Sequence, residues 1–302
     1  MESIAGDDAK VAFYTGFPSY EHLKICFQFL GPAAEQLIYR DSRRVFDHSN
    51  KGRPRCLPPV EEFFLTLVRL RLGLLEQDIA YRFGVSQSTV SRIFTTWINF
   101  LYLQFKQIPM WPPREFVQAH MPRVFREQYP TTRVIIDATE IFVQQSSLPE
   151  LQQRTFSSYK NHNTYKALIG ISPSGAVTFV SKLYPGSISD KELTRQSGLL
   201  DLLEHGDSIM ADRGFDILED LAPRGARLNI PPFLHGKSQL DDRELTETRR
   251  IASLRIHVER CMERIKNFHI FDGVMPLNLM DVADQMFFVC AVLTNFHPPL
   301  CP

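Results

Sequence analysis

The 302-residue sequence has few cysteines, no excess of charge of either sign and no long apolar run. Its five cysteines contain no CxxC pair, which argues against a disulfide scaffold, a zinc ribbon or thioredoxin chemistry and favours a reducing compartment. No apolar run approaches the ~20 residues of a membrane span, and the N-terminus does not resemble a signal peptide. The motifs GxSxG, HExxH, the P-loop and the dinucleotide fingerprint are also missing.

What is present is ordinary globular composition, with 44% apolar and 23% charged residues. A chain of this length predicts about two domains. The 34 basic and 34 acidic residues balance, but the segment from Tyr39 to Arg55 carries six basic and two acidic side chains. Such a segment attracts phosphate groups. A solvated loop has the same composition, so both interpretations stay open.

A helix-turn-helix is predicted between residues 58 and 110, after an N-terminal helical segment over residues 1–57. A long helix should run from Pro58-Pro59 to about Gly73. A short helix, Glu76–Phe83, is followed by a turn at Gly84 and by a second helix that Ser86 can cap. The apolar stripe of that second helix consists of Val90, Ile93 and Trp97.

The start of the second helix predicts a DNA contact. In a helix-turn-helix the first residues of this helix face the major groove, where short polar and cationic side chains meet phosphates and base edges. A hairpin of two helices that only pack together is the alternative. The predicted DNA-binding residues are Ser86, Gln87, Ser88, Thr89 and Arg92.

From Thr131 the pattern changes to short apolar strands alternating with helices, which predicts an α/β fold. A turn at Pro173-Ser174-Gly175 predicts a hairpin. The predicted strands are 133–143, 166–171, 176–183, 208–212 and 227–230. One predicted helix begins at Asp190. Three more are predicted over residues 216–221, about 242–266 and about 278–295.

Three carboxylates are candidates for a metal site. Asp137 and Asp212 each follow a buried apolar run, and Glu259 lies beside the apolar stripe of the long helix near the C-terminus. Carboxylate oxygens are the ligands that Mg²⁺ and Mn²⁺ prefer. Taken alone, an aspartate at the end of a strand is more often a turn cap or an ion-pair partner, and a glutamate on a helix is normally solvated. Glu263, one helical turn after Glu259, is an equally placed rival by spacing.

Seven segments together resemble the Harbinger-like DDE superfamily endonucleases, which are eukaryotic transposases with an attached helix-turn-helix. The resemblance extends from about Thr15 to Phe296, and the order and spacing of the segments make it specific. The segments are TGFPSYEHLKICFQFL (15–30), the helix-turn-helix (58–101), IIDATEIFVQQ (135–145), SSYKNHNTYKALIGISPSG (157–175), YPGSISDKE (184–192), IMADRGFDI (209–217) and HVERCMERIKNF (257–268).

The resemblance implies a ribonuclease-H-like nuclease domain over residues 131–296. Its catalytic, metal-binding triad falls by motif on Asp137, Asp212 and Glu259, and this match favours Glu259 over Glu263. Such a triad holds two Mg²⁺ ions, for which Mn²⁺ substitutes, with Asp137 expected to bridge both. The implied activity is metal-dependent phosphodiester cleavage and strand transfer at the ends of double-stranded DNA in the nucleus.

Further polar residues of these segments have two interpretations each. Lys160 and Lys166, with His162 between them, suit DNA phosphates, and a loop with solvated lysines fits equally well. Arg213 suits a phosphate or an ion pair with Asp216. Asp190 is either a supporting group of the triad or a helix cap, with Ser189 the better cap.

Two rival functions remain beside the nuclease. One is a domesticated DNA-binding protein that no longer cuts, and the other is a protein-interaction module. A homodimer and a separate DNA-binding partner protein are both compatible with the sequence, whereas a membrane partner is not expected.

Overall fold

The computed structural model describes residues 4–39, 55–232 and 241–300, so residues 40–54 of the basic segment lie outside the described residues. The chain divides into two compact units. The first comprises residues 1–108 and 266–297, and the second comprises residues 109–265 and 298–302. The predicted nuclease segment 131–296 therefore contributes its last 31 residues to the first unit.

Helices and strands of the described ranges are numbered separately in chain order. The α-helices are α1 (Asp8–Thr15), α2 (Tyr20–Leu30), α3 (Pro59–Leu72), α4 (Glu76–Phe83), α5 (Gln87–Phe105), α6 (Arg114–Ala119), α7 (Arg123–Gln128), α8 (Pro149–Thr155), α9 (Asp190–Ser197), α10 (Leu218–Leu221), α11 (Asp242–Lys266) and α12 (Ala283–Leu293). The strands are β1 (Thr132–Phe142), β2 (Phe156–Ser157), β3 (His162–Ile171), β4 (Val177–Val180), β5 (Tyr184–Pro185), β6 (Ser208–Met210) and β7 (Arg227–Asn229).

The first unit is a helical bundle built around α3 and α5. Helix α3 begins at a proline, carries glutamates in its first turn and arginines in its last, and ends at Gly73 with a φ of 63°. A Cβ at Gly73 would stand 2.6 Å from the carbonyl oxygen of His269, so only glycine fits here. The rings of Phe63 and Trp97 pack 5.6 Å apart in the core, and α12 packs against α5.

The segment Leu277–Phe296, which contains α12, is the one described stretch long and apolar enough to cross a membrane. The expectation that no run of this length exists was therefore wrong. Residues 277–282 and 294–296 are 3₁₀ turns on either side of the helix. In the most apolar 18-residue stretch of this segment, 56% is buried inside the protein, as in a helix that packs in a core. Length and composition alone are weak evidence for a membrane span.

The second unit is built on a mixed sheet with the strand order β2-β3-β1-β6-β7. Strand β3 pairs antiparallel with β1 on one side and with β4 and β5 on the other. Strands β6 and β7 then continue the sheet in parallel with β1. An antiparallel meander followed by parallel strands is the ribonuclease-H-like arrangement, so the predicted fold class is confirmed.

A single apolar cluster fills one face of this sheet. It includes Val134 and Ile136 of β1, Ile209 of β6 and the aromatic Phe215 in the loop that follows, all almost fully buried. The predicted stripe along α11 is also buried, and it consists of Ile251, Leu254, Val258, Cys261, Met262 and Ile265. The short helices α6, α7 and α8 were not predicted, because six or seven residues carry too little periodicity.

Candidate active site

Asp137 lies in β1, and Asp212 lies two residues after the end of the neighbouring strand β6. The parallel register of β1 and β6 pairs Ile135 with Met210, and each aspartate follows two residues later. Neighbouring strands lie about 4.8 Å apart, so the register brings the backbones of β1 and β6 together just before the two aspartates. Strand β6 ends two residues earlier than the predicted strand 208–212, so Asp212 lies just beyond it. Strand β1 continues past Asp137 to Phe142, close to the predicted end at residue 143, and its fully buried half ends at Ile136.

The Asp137 carboxyl is half-buried among charges of both signs. Burial raises its pKa to about 6, and the negative charges of Glu259 and Asp190 add to this. The backbone N–H of Ala138, which donates to Oδ1 at 2.9 Å, and the charge of Arg255 act in the opposite direction. A carboxyl whose ionised form is this unfavourable is typical of functional sites.

Asp212 is held by one backbone group and one guanidinium. Its Oδ1 accepts the N–H of Arg213 at 2.8 Å and lies 3.3 Å from Nη1 of Arg255. The Asp212 side chain is 55% exposed, whereas that of Arg255 is only 10% exposed. Arg255 was missed in the sequence, although its position one helical turn before Glu259 is the signal that could have found it.

Glu259 and Glu263 are both exposed on α11, and the negative charge of Glu259 is among the main causes that raise the pKa of Asp137. Glu259 therefore stays the predicted third acid, as the resemblance implies. Arg255 lies one helical turn before Glu259 and two turns before Glu263, so Glu263 is about 6 Å farther from Arg255 along the helix axis.

If Glu259 is a ligand of a catalytic divalent cation, as the resemblance implies, changing it to glutamine is expected to lower cation-dependent DNA nicking by about 100-fold or more, because one charged oxygen ligand is lost. The matched change Glu263→Gln removes the same charge one turn away and should leave nicking within about twofold. Both rates are measured on supercoiled plasmid with Mn²⁺. Equal losses in the two variants would refute the choice of Glu259.

Asp190 forms part of the surroundings of Asp137. Ser189 caps α9 by accepting the N–H of Glu192, as predicted, which leaves the Asp190 carboxylate available to other groups. A Cβ at Gly214 would lie 2.9 Å from Oδ2 of Asp190, so this glycine permits the loop after Asp212 to approach α9.

The two lysines predicted to contact DNA lie in different environments. Nζ of Lys166 donates to the carbonyl of Ile188 at 3.0 Å and to Asp190 at 3.2 Å, with Glu140 at 3.7 Å. Its side chain is only 13% exposed, so the second unit favours a role in holding carboxylates over a DNA contact. Lys160 is exposed, with Nζ 4.8 Å from the ring centre of Tyr159, and its DNA contact stays a prediction.

The donor set of the site fits hard divalent cations. Asp137, Asp212 and Glu259 offer only carboxylate oxygens, and a buried guanidinium beside Asp212 shows that the cluster stabilises a positive charge. Within residues 4–39, 55–232 and 241–300, no three His, Cys, Asp or Glu side chains are close enough together to form a ready metal-binding group. The carboxylates would therefore have to move toward a cation to bind it together.

The helix-turn-helix of the first unit matches the prediction closely. Gly84 ends α4 with a φ of 64°, and the Ser86 hydroxyl accepts the N–H of Thr89 at the start of α5. Ser86, Gln87, Ser88 and Arg92 are exposed, and Thr89 is half-buried with its hydroxyl 2.8 Å from that of Ser86. The first turns of α5 thus present polar groups and one cation to solvent.

A chain of polar contacts orients Gln87. Its Nε2 donates to Oε2 of Glu76 at 2.6 Å, and Oε1 of Glu76 lies 3.1 Å from Nη2 of Arg69. Arg69 is buried, and its guanidinium also stacks 4.7 Å from the ring centre of Phe94. A buried cation therefore fixes the position of a side chain at the start of α5.

Two family models match the chain. The model described as DDE superfamily endonuclease matches residues 136–295, just over half of the sequence, and includes all three acids. The chain belongs to the DDE superfamily endonucleases. The model described as helix-turn-helix of DDE superfamily endonuclease matches residues 55–107, which contain α3, α4 and α5. Comparison with curated proteins and with solved structures gave no significant match.

Proposed function

We propose that this DDE superfamily endonuclease cuts phosphodiester bonds of double-stranded DNA with divalent cations held by Asp137, Asp212 and Glu259, and transfers the cut strand to a second DNA site. The single observation that carries the proposal is the match of residues 136–295, which include all three acids, to the DDE superfamily endonuclease model. The pairing of Ile135 with Met210, two residues before each aspartate, is compatible with it. Two Mg²⁺ ions, or Mn²⁺ in their place, are the proposed cofactors, and the nucleus is the proposed location.

Bound divalent cations would supply the activation of water, or of a DNA 3′-hydroxyl, and the stabilisation of the leaving oxygen. The chain's own residues hold and orient the carboxylates. Asp212 is fixed by the N–H of Arg213, and Asp137 by the N–H of Ala138. The residues at the start of α5 would position the DNA through contacts to phosphates and base edges.

The test is nicking of supercoiled plasmid by the purified chain with Mn²⁺, with Mg²⁺ and with a chelator. Nicking that requires the cation and is abolished by the chelator is expected. Activity that persists in the chelator would contradict the proposal. Strand transfer is read separately, as joining of a labelled oligonucleotide end to the plasmid.

A DNA-binding protein without nuclease turnover is the second candidate, because the helix-turn-helix matches its own family model independently of the acids. The same plasmid assay separates the two candidates. Retained DNA binding without nicking, by a chain that is folded and binds Mn²⁺, would favour the second.

Changing Arg92 to alanine is expected to weaken DNA binding by about 1–3 kcal/mol, roughly fivefold to 150-fold, because it is the exposed cation at the start of α5. If Arg92 contacts a phosphate, the slope of log K for DNA binding against log salt concentration should also become shallower by about one unit. The measurement is fluorescence anisotropy with labelled duplex DNA at several salt concentrations. Arg123→Ala, an equal loss of charge at an exposed position of the second unit, is the control and should bind like the parent protein. A similar loss in both variants would indicate general attraction and contradict a contact by α5.

A further inference from the structure

Arg255 brings a buried positive charge to the acid cluster. Its guanidinium lies 3.3 Å from Asp212 and acts electrostatically on Asp137, while its side chain is only 10% exposed. Its Nε is buried and makes no hydrogen bond. Burying a guanidinium is unfavourable unless carboxylates compensate its charge, so the acids are the reason that Arg255 can stay inside.

The guanidinium of Arg255 and a divalent cation would repel each other if both lay beside these carboxylates. A divalent cation bound to Asp212 would stand within a few ångströms of the guanidinium, and like charges at that separation repel strongly where solvent is scarce. Oδ1 of Asp212 forms the ion pair with Arg255, and a divalent cation would use the same oxygen as a ligand. Asp212 is 55% exposed, so its carboxylate can turn from one partner to the other without a change in the fold.

We infer that Arg255 is a built-in counter-ion that competes with divalent cations for the Asp212 carboxylate and sets the cation concentration at which the acid cluster fills. This inference rests on the proposed function, because it takes the three acids as cation ligands. Arg255 thereby acts as a positioning residue, holding Asp212 until a cation displaces it. It also keeps the net charge of the cluster low, which reduces the repulsion between the acids.

The first test measures Mn²⁺ affinity by calorimetry, with no DNA present. Arg255→Gln is expected to bind Mn²⁺ about tenfold more tightly or better, since the competing charge is gone. The matched control is Arg249→Gln, an equal charge change at an exposed position of the same helix, and it should keep the parent affinity. Equal or weaker Mn²⁺ binding by Arg255→Gln would overturn the inference, as would a failure of both the parent protein and this variant to bind Mn²⁺.

A second test uses the parent protein and stays valid if Arg255→Gln does not fold. The Nε–H of Arg255 is buried and should give a protected NMR signal in arginine-labelled protein, assigned with Arg255→Lys. Titration with Mg²⁺ is expected to shift this signal as the ion pair with Asp212 opens. A signal that stays in place when the protein is saturated with Mg²⁺ would overturn the inference.

The Mn²⁺ affinities and the plasmid assay test the competition and the nuclease function separately. Tighter Mn²⁺ binding by Arg255→Gln without any nicking would support the competition and remove the nuclease function. Normal nicking by the parent protein with unchanged Mn²⁺ affinity in the variant would support the nuclease and remove the competition.

Discussion

Under the proposed function, changing Asp137 to asparagine is expected to lower Mn²⁺-dependent plasmid nicking by about 10³-fold or more, since a proposed charged ligand is lost while the shape of the side chain is kept. DNA affinity should stay within about threefold, because the predicted DNA-contacting residues of α5 are unchanged. Nicking is measured under single-turnover conditions and DNA affinity by anisotropy. Asp201→Asn is the control, because Asp201 is an exposed aspartate of the same unit that pairs with Arg224. Normal cutting by the Asp137 variant would remove Asp137 from the site.

The same substitution is expected to stabilise the protein at neutral pH in the presence of a chelator. Burial raises the pKa of Asp137 to about 6 from an ordinary value of 3.8. The folded protein therefore binds this proton more tightly than the unfolded chain, and stability is lost as the pH rises from about 4 through 6. About two pKa units correspond to at most ~3 kcal/mol, which asparagine would recover.

Denaturant unfolding at several pH values checks this expectation. The difference in unfolding free energy between the variant and the parent protein should grow between about pH 4 and 6 and stay constant above. A variant that is more stable yet inactive would show that the lost activity does not come from unfolding. A difference that does not change with pH would contradict the raised pKa of Asp137.

Local signals explain why the helix-turn-helix and α11 were predicted with accurate bounds. The turn glycine Gly84, the capping Ser86 and the apolar stripes each act within a few residues, and such signals are readable from one sequence. The bounds of α11, Asp242–Lys266, agree with the prediction for the same reason. Short helices such as α8 lack these signals.

The environment of the acids could not be read from the sequence, because it depends on pairings between distant segments. Arg255 pairs with Asp212, which lies 43 residues earlier in the chain. Lys166 of β3 pairs with Asp190 at the start of α9. Spacing alone did not separate Glu259 from Glu263, and the nearness of Glu259 to Asp137 depends on how α11 packs. The choice of Glu259 comes from the motif, and the sheet register shows only that the segments before the two aspartates pair.

In the first unit, Glu62 is a fully buried carboxylate that connects three separate segments. Its Oε2 accepts the indole N–H of Trp97 at 2.8 Å and lies 3.8 Å from Nη1 of Arg55, and its Oε1 accepts the hydroxyl of Tyr39. Burial, and then this carboxylate, raise the pKa of Tyr39 well above its usual value. Arg55 also donates to the carbonyl of Leu37 at 2.5 Å.

Changing Glu62 to alanine is expected to lower the free energy of unfolding of the first unit by about 3–5 kcal/mol, because the half-buried guanidinium of Arg55, an indole N–H and a phenol lose their shared acceptor. Unfolding is followed by guanidinium denaturation, with Trp97 fluorescence reporting on the core of this unit. Glu61→Ala, in the same helical turn but half-buried, is the matched control and should cost about 1 kcal/mol or less.

Tyr39 and Arg55 are the first and last residues of the basic segment defined from the sequence, so Glu62 fixes both ends of it. Glu62→Gln separates charge from hydrogen bonding, since the amide oxygen can still accept one N–H while the ion pair with Arg55 is lost. An intermediate loss of stability is expected for glutamine. If glutamine matched the parent protein, the hydrogen bonds alone would explain the stabilisation. If alanine cost no more than Glu61→Ala, the three contacts would contribute nothing beyond ordinary packing, and the prediction would be refuted.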